Sequence, residues 1–389
     1  MYAPEMNSPN PFKLRSFALG ILMMGISAAP GCAGLTRKQP AEEKTAIMKD
    51  LSQIEQSANL SEQDYKILTS ALKDKDWHVR DKAVKVTARS DSSIKPYLPE
   101  IISMFADPVP NVWLTTWQTL RTLGRKYPQF TDIYILHGRN SSNTQVKSGL
   151  LRTIGWVGNA SNSGEQWIVE ELHHPDSKVR GAAVAALGAA VADAAAYVDK
   201  IEPLLKDDDP FTIAEALHAF ARIGPASFKK MTMIEKLLDS PHDQVRAAAM
   251  QAIVKIGKPS GGARMQIVST LTDSRFKDTG ARTRANIAAV KLIETWDIQT
   301  VNLLASACEA LNRELDSALE SHEKRQLLAR YLGVEDETVQ LRVVLVRLIA
   351  KRFSDTIEGK TTLQKASQDP SQVVAAIARD SLSSAKQLP

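Results

Sequence analysis

Cysteine is nearly absent from this chain: Cys32 and Cys308 are the only two in 389 residues. Two thiols exclude a disulfide framework and a cysteine-rich metal site. Aromatic residues contribute 6% of the sequence while hydrophobic residues together reach 43%, so a large core is available and must be filled mostly by aliphatic side chains, which suits helices. No His-x-x-x-His or Cys-x-x-Cys spacing occurs, and there is no Gly-x-Ser-x-Gly or phosphate-cradling glycine loop. The commonest zinc, dithiol, serine-nucleophile and nucleotide signatures are therefore missing, and no cofactor is expected. Long runs of one charge are missing as well. The formal charge of +5 comes from 49 basic against 44 acidic residues, and the pI near 9.0 describes a mixed surface with no nucleic-acid track. An apolar run near the start, Phe17 to Ala29, is shorter than the about 20 residues a spanning helix needs.

What the chain does have is repetition. In the stretch from Asp176 to Gly188, Asp176 can cap a helix, Val179, Ala183 and Leu187 recur every four residues, and Gly188 offers a stop. A helix with so shallow an apolar face needs neighbours of its own kind. Aligning on its opening valine gives Val79, Val112, Val146, Val179, Ile213 and Val245, at spacings of 33, 34, 33, 34 and 32 residues. Glycines at 124, 155, 188, 224 and 257 read as the stops of successive copies. The preceding helices repeat too: Tyr97, Leu98, Ile101, Phe105 and Asp107 stand one hundred residues ahead of Tyr197, Val198, Ile201, Leu205 and Asp207. Beyond Val245 the copies loosen, with Ala281-Arg282 and Ala285, then Val339 and Val343, then Val373 and Ile377. The charged stretch from about 300 to 335, with Glu309, Arg313, Glu314 and Asp316, reads as a solvated helical face. The expected fold is an all-α, right-handed superhelical solenoid of about nine or ten helical hairpins.

Residues 1–31 read as a signal peptide. Lys13 and Arg15 precede the apolar run, and small residues follow it. The segment Ala28-Ala29-Pro30-Gly31-Cys32 resembles a bacterial lipoprotein processing site. That resemblance implies lipid attachment at Cys32, and Ala33 lacks the aspartate linked to inner-membrane retention, so the expected location is the outer membrane, facing the periplasm. Residues 32–45, polar and with Pro40, read as a lipidated tether. The solenoid then covers 46–389, best defined over 60–260 and looser over 261–385.

The segments Asp74 to Ala83, Asp176 to Ala183 and Pro241 to Ala249 resemble HEAT repeats of the short, phycobilin-lyase-like variety. The resemblance implies a hydrogen-bonded ladder between turn aspartates and the arginines after the valine, here Asp76, Asp176 and Asp243 with Arg80, Arg180 and Arg246. Trp113, Lys147 and Ala214 stand where that arginine is expected, so the ladder should break there.

Chemistry-bearing candidates are few. Adjacent His173 and His174 would point about 100° apart on a helix and do not form a chelate. Asp207-Asp208-Asp209 reads as a capping turn before Pro210. Trp113 and Trp117 with Arg121, and Trp156 and Trp167 in the loops that follow, form the best candidate contact surface, because exposed tryptophans are frequent interface anchors. The expected function is a non-enzymatic envelope lipoprotein that binds a protein or peptide partner, held to the membrane by its N-terminal lipid. Two enzyme readings stand as alternatives. One is a HEAT-like glycosylase that excises alkylated bases from DNA, with Trp113, Trp117 and Arg121 imitating part of its site. The other is a bilin-lyase-like enzyme.

Overall fold

Helices in this chain begin where a short polar side chain can satisfy the first backbone N–H groups, and the computed structural model shows this at most repeats. It describes residues 41–57, 60–158, 161–191, 193–296, 303, 305–317 and 336–385. The signal segment and Cys32 lie outside the described residues. The described residues divide into two compact units, 41–204 and 205–385, and no β-strand occurs among them.

The first unit contains α1 (Ala41–Gln56), α2 (Glu62–Ala71), α3 (Trp77–Thr87), α4 (Leu98–Ser103), α5 (Pro110–Lys126), α6 (Phe130–Asn140), α7 (Thr144–Val157), α8 (Asn162–Glu171), α9 (Ser177–Ala190) and α10 (Val198–Ile201). Helix α1 starts inside the stretch read as a tether. Asp76 Oδ1 accepts from the His78 N–H at 2.9 Å, Asn143 Oδ1 from Gln145 N–H at 2.9 Å, and Asp176 Oδ1 from Lys178 N–H at 2.8 Å. Each cap stabilises its helix by about 1 kcal/mol. The even-numbered helices are the first of each hairpin. Two of them, α4 and α10, are short pieces flanked by 3-10 turns, and Pro96 and Pro99 explain the break in the first case. The second helices α3, α5, α7 and α9 pack against one another in sequence, and the stripe Val179, Ala183 and Leu187 is fully buried.

The second unit runs through α11 (Pro210–Ile223), α12 (Met231–Lys236), α13 (Asp243–Ile256), α14 (Gly261–Ser269), α15 (Thr279–Ile293), α16 (305–317), α17 (Glu337–Phe353), α18 (Ile357–Ala366) and α19 (Gln372–Ala385). Here α11, α13, α15, α17 and α19 stack in order. Both units are stacks of helical hairpins, each hairpin burying its apolar stripe against the next.

Three registers differ from the sequence reading. In α11 the buried position is Thr212, fully enclosed, and Ile213 is only partly covered. The threonine is tolerated because its hydroxyl donates to Asp209 Oδ2 at 2.9 Å. In α17 the stripe is Leu341, Leu345 and Ile349, and in α19 it is Val374 and Ala378; Val373 is exposed. The apolar residues there are crowded enough to fit two periods, and packing selects one.

The glycines also divide. Gly124, Gly155 and Gly188 lie inside α5, α7 and α9, so they do not end them. At Gly155 an added Cβ would stand 2.9 Å from the Ala186 Cα, which shows how closely α7 and α9 approach. Gly224 and Gly257 do close α11 and α13, with φ of +70° and +82°.

Helix α16 is not simply a solvated face. Glu314 is buried, with Arg282 Nη2 at 4.0 Å, while Arg313 donates from Nη2 to the Leu271 carbonyl at 3.0 Å. Cys308 is buried in the same helix and, among the described residues, has no disulfide partner, and burial pushes its thiol pKa up.

Candidate functional site

Each second helix has a slot one residue after the first buried position of its stripe, and in several of them a long cation there reaches back to the turn. At Arg80 the guanidinium donates from Nε to Asp107 Oδ2 at 2.6 Å and from Nη2 to Asp107 Oδ1 at 3.0 Å. Its Nη1 donates to the Asp74 and Lys75 carbonyls at 2.8 and 3.2 Å. The hydrogen bonds to Asp107 raise the pKa of Arg80 against the opposing effect of burial. The partner is thus the aspartate 27 residues ahead, in the following turn, while Asp76 caps its own helix. The sequence reading missed a second rung of the same spacing. Arg342 donates from Nε to Asp369 Oδ2 at 2.8 Å, and both side chains are 0% exposed. The Leu341-Arg342 pair and Asp369-Pro370 were the available signals, hidden by the misread register of α17.

The other slots vary this contact. Arg180 donates from Nη1 to the His174 and Pro175 carbonyls, both at 2.9 Å, and Asp176 caps α9. Arg246 reaches Asp243 Oδ1 at 2.7 Å and the Ser240 carbonyl at 2.8 Å, with its guanidinium 4.3 Å from the Phe276 ring centroid. Asp243 Oδ2 then accepts the Lys277 and Asp278 N–H groups of the next turn, both at 2.6 Å. Lys147 keeps a carboxylate, Glu171 Oε1 at 2.5 Å, so its slot is re-routed and not empty. The corrected register of α11 puts Ile213 in the slot where Ala214 was expected.

Trp113 fills its slot by packing half-buried against Phe105, ring centroids 5.4 Å apart. The other tryptophans are inside. Trp117, Trp156 and Trp167 are 4%, 6% and 1% exposed, and the last two lie in α7 and α8, where loops were expected. Trp167 donates from Nε1 to Glu171 Oε1 at 2.8 Å and rests against Gly138, where any Cβ would stand 2.2 Å from its ring. It belongs to the same buried arrangement as Lys147.

What reaches the surface is the pair of arginines these rings support. The Arg121 guanidinium lies 4.5 Å from the Trp156 centroid and 5.0 Å from that of Trp117; Arg125, one turn on, lies 5.2 Å from Trp156. The two indoles are 6.2 Å apart, centroid to centroid. Neither guanidinium has a carboxylate within ion-pair distance among the described residues, and Arg125 is exposed. Burial first, and then the like charge of Arg125, push the Arg121 pKa down. The sequence reading included Arg121 and missed Arg125, which reads in sequence as an ordinary cation at a helix C-terminus.

Of the remaining candidates, His174 Nδ1 accepts the Asp176 N–H at 3.0 Å, and Asp209 caps α11 by accepting from Thr212 N–H at 3.2 Å. No group of three metal-ligating side chains exists among the described residues. No described helix is long and apolar enough to cross a membrane.

Comparison with known proteins agrees with this geometry. The HEAT repeat family matches residues 165–254. No curated protein matches. A solved structure described as a Kap95:Nup1 complex is similar over 91% of this chain and 51% of that one, with 13% identity and a TM-score of 0.55. A second, of Kap95p binding to RanGDP, covers 88% of this chain and 50% of that one at 14% identity and a TM-score of 0.49. The chain spans about half the length of these solved structures. The likeness is one of fold: this chain is an all-helical protein of HEAT-like hairpins, with HEAT repeats identified over 165–254.

Proposed function

We propose that this chain is a non-enzymatic scaffold that binds a protein partner, and that it works in the cell envelope as a lipoprotein anchored through Cys32 at the outer membrane. One observation supports the scaffold reading above the rest. Near its C-terminal end, one of the stacked second helices of the first unit, α5, carries a pair of arginines on buried indoles, neither of them ion-paired among the described residues. Hairpin stacks present long, continuous faces, and arginine and tryptophan are the residues that most often dominate interface energetics. The Kap95:Nup1 structure of similar fold is a complex, which agrees with this role. The lipoprotein reading is supported by the segment from Lys13 to Cys32.

In-cell crosslinking of the full chain followed by mass spectrometry should recover one stoichiometric partner protein. Recovery of none would overturn the scaffold reading. Metabolic palmitate labelling should mark the wild type and not Cys32→Ser; an unlabelled wild type would overturn the anchor.

A further inference from the structure

Charge is sorted by helix in the first unit. Its second helices α3, α5, α7 and α9 carry ten Lys and Arg against one Asp, while its first helices α2, α4, α6, α8 and α10 carry eight Asp and Glu against three Lys and Arg. Several of the cations are answered from within. Arg80 meets Asp107, Lys82 meets Glu55, Lys85 meets Asp81 at 3.7 Å, and Lys147 meets Glu171. Arg121 and Arg125 are not. Two like charges held a turn apart over one indole repel each other, and their ring contacts offset only part of the cost of drying Arg121. An anion placed between them would relieve both terms. Planar guanidiniums held against rings lose little freedom on binding and accept carboxylate oxygens in a fixed fork.

We infer that Arg121 and Arg125 form an anchoring site for an acidic segment of a partner protein, with a Glu or Asp carboxylate seated between the two guanidiniums. The inference rests on the scaffold reading and names the chemistry of its partner. A carboxylate is favoured because it is what the neighbouring cations of this unit already take, in four separate contacts. A nucleic acid would need a track of cations along its phosphates, whereas the support here is confined to one indole pair.

The test uses the full chain with a labelled Glu/Ser peptide, its Gln/Ser counterpart and a single-stranded oligonucleotide, read by fluorescence anisotropy. The Glu/Ser peptide should bind in a salt-sensitive way, with affinity falling about tenfold or more in the double variant Arg121→Gln, Arg125→Gln. Lys178→Gln, an exposed cation on α9 without ring support, should leave binding unchanged. Circular dichroism confirms that each variant is folded. No binding of the Glu/Ser peptide, equal binding of the Gln/Ser peptide, tighter binding of the oligonucleotide, or an equal loss in Lys178→Gln would each overturn the assignment. Crosslinking separates this from the broader reading: a partner still recovered from the double variant leaves the scaffold standing while the acidic-segment site falls.

Discussion

Arg342 and Arg121 are chemically identical and sit on second helices of the two units, yet their surroundings assign them opposite tasks. In the second unit Arg342 is fully enclosed and forked onto Asp369. In the first unit Arg121 lies half-buried on two indoles, faces a second arginine, and has no carboxylate among the described residues. The charge pattern around them differs in the same sense. Second helices of the second unit carry eleven Lys and Arg against four Asp and Glu, and its first helices carry five of each, so charge is less sorted there than in the first unit. Within one repeat design, an arginine becomes a strut where the next turn supplies an aspartate. It becomes a hook where the neighbour supplies a ring.

The sharpest way to break this contrast is to cut the strut. Arg342→Ala leaves the Asp369 carboxylate buried without its partner and should cost about 3–5 kcal/mol in urea unfolding. The paired change Arg342→Met with Asp369→Leu should recover most of it. A loss under about 1 kcal/mol for the single variant would mean the enclosed pair is no strut. Arg80→Ala, at a rung with more solvent access, should cost about 1.5–3 kcal/mol by the same measurement. Gly155→Ala forces α7 away from α9 and should cost about 1–3 kcal/mol; an unchanged midpoint would show that the helices separate without strain. For the hook, Arg121→Gln should change stability by no more than about 0.5 kcal/mol, because no ion pair is lost. A large destabilisation would make it structural after all. The smallest effect concerns acid. The hydrogen bond from Lys82 holds Glu55 below the usual carboxylate range. Its contribution to stability is therefore present above the unfolded-state pKa and fades as pH falls through the lowered folded-state value. NMR titration of Glu55 should show that depressed pKa in the wild type and its return toward normal in Lys82→Met.

The repeat itself was legible from the 33-residue period, because burial of one stripe per hairpin forces apolar residues to recur. Register was less so. Thr212 is buried only because Asp209 satisfies its hydroxyl, and a hydrophobicity pattern prefers its neighbour Ile213. Trp156 reads as a loop residue because the glycines beside it resemble stops, whereas Gly155 is a spacer that admits Ala186. The rung from Arg80 was visible as residue types but not as a pairing: the sequence marks an aspartate beside the arginine, and the fold chooses the one 27 residues ahead. Arg125 drew no notice, since a cation in the last turn of a helix needs no further reason.

Asp107 performs two tasks with one carboxylate: it accepts the Val109 N–H at 2.8 Å, shaping the turn that opens α5, and it receives the fork of Arg80 from the helix before. Asp369 does the same with the Ser371 N–H and Arg342. Each such turn is completed by a residue that emerges earlier in synthesis, so the coupling along the stack has a direction. A chain growing from its N-terminus always meets its next aspartate with the waiting arginine already in place. Deleting a hairpin from the N-terminal side of either rung strands a carboxylate, whereas deleting one from the C-terminal side strands an arginine that can extend into water.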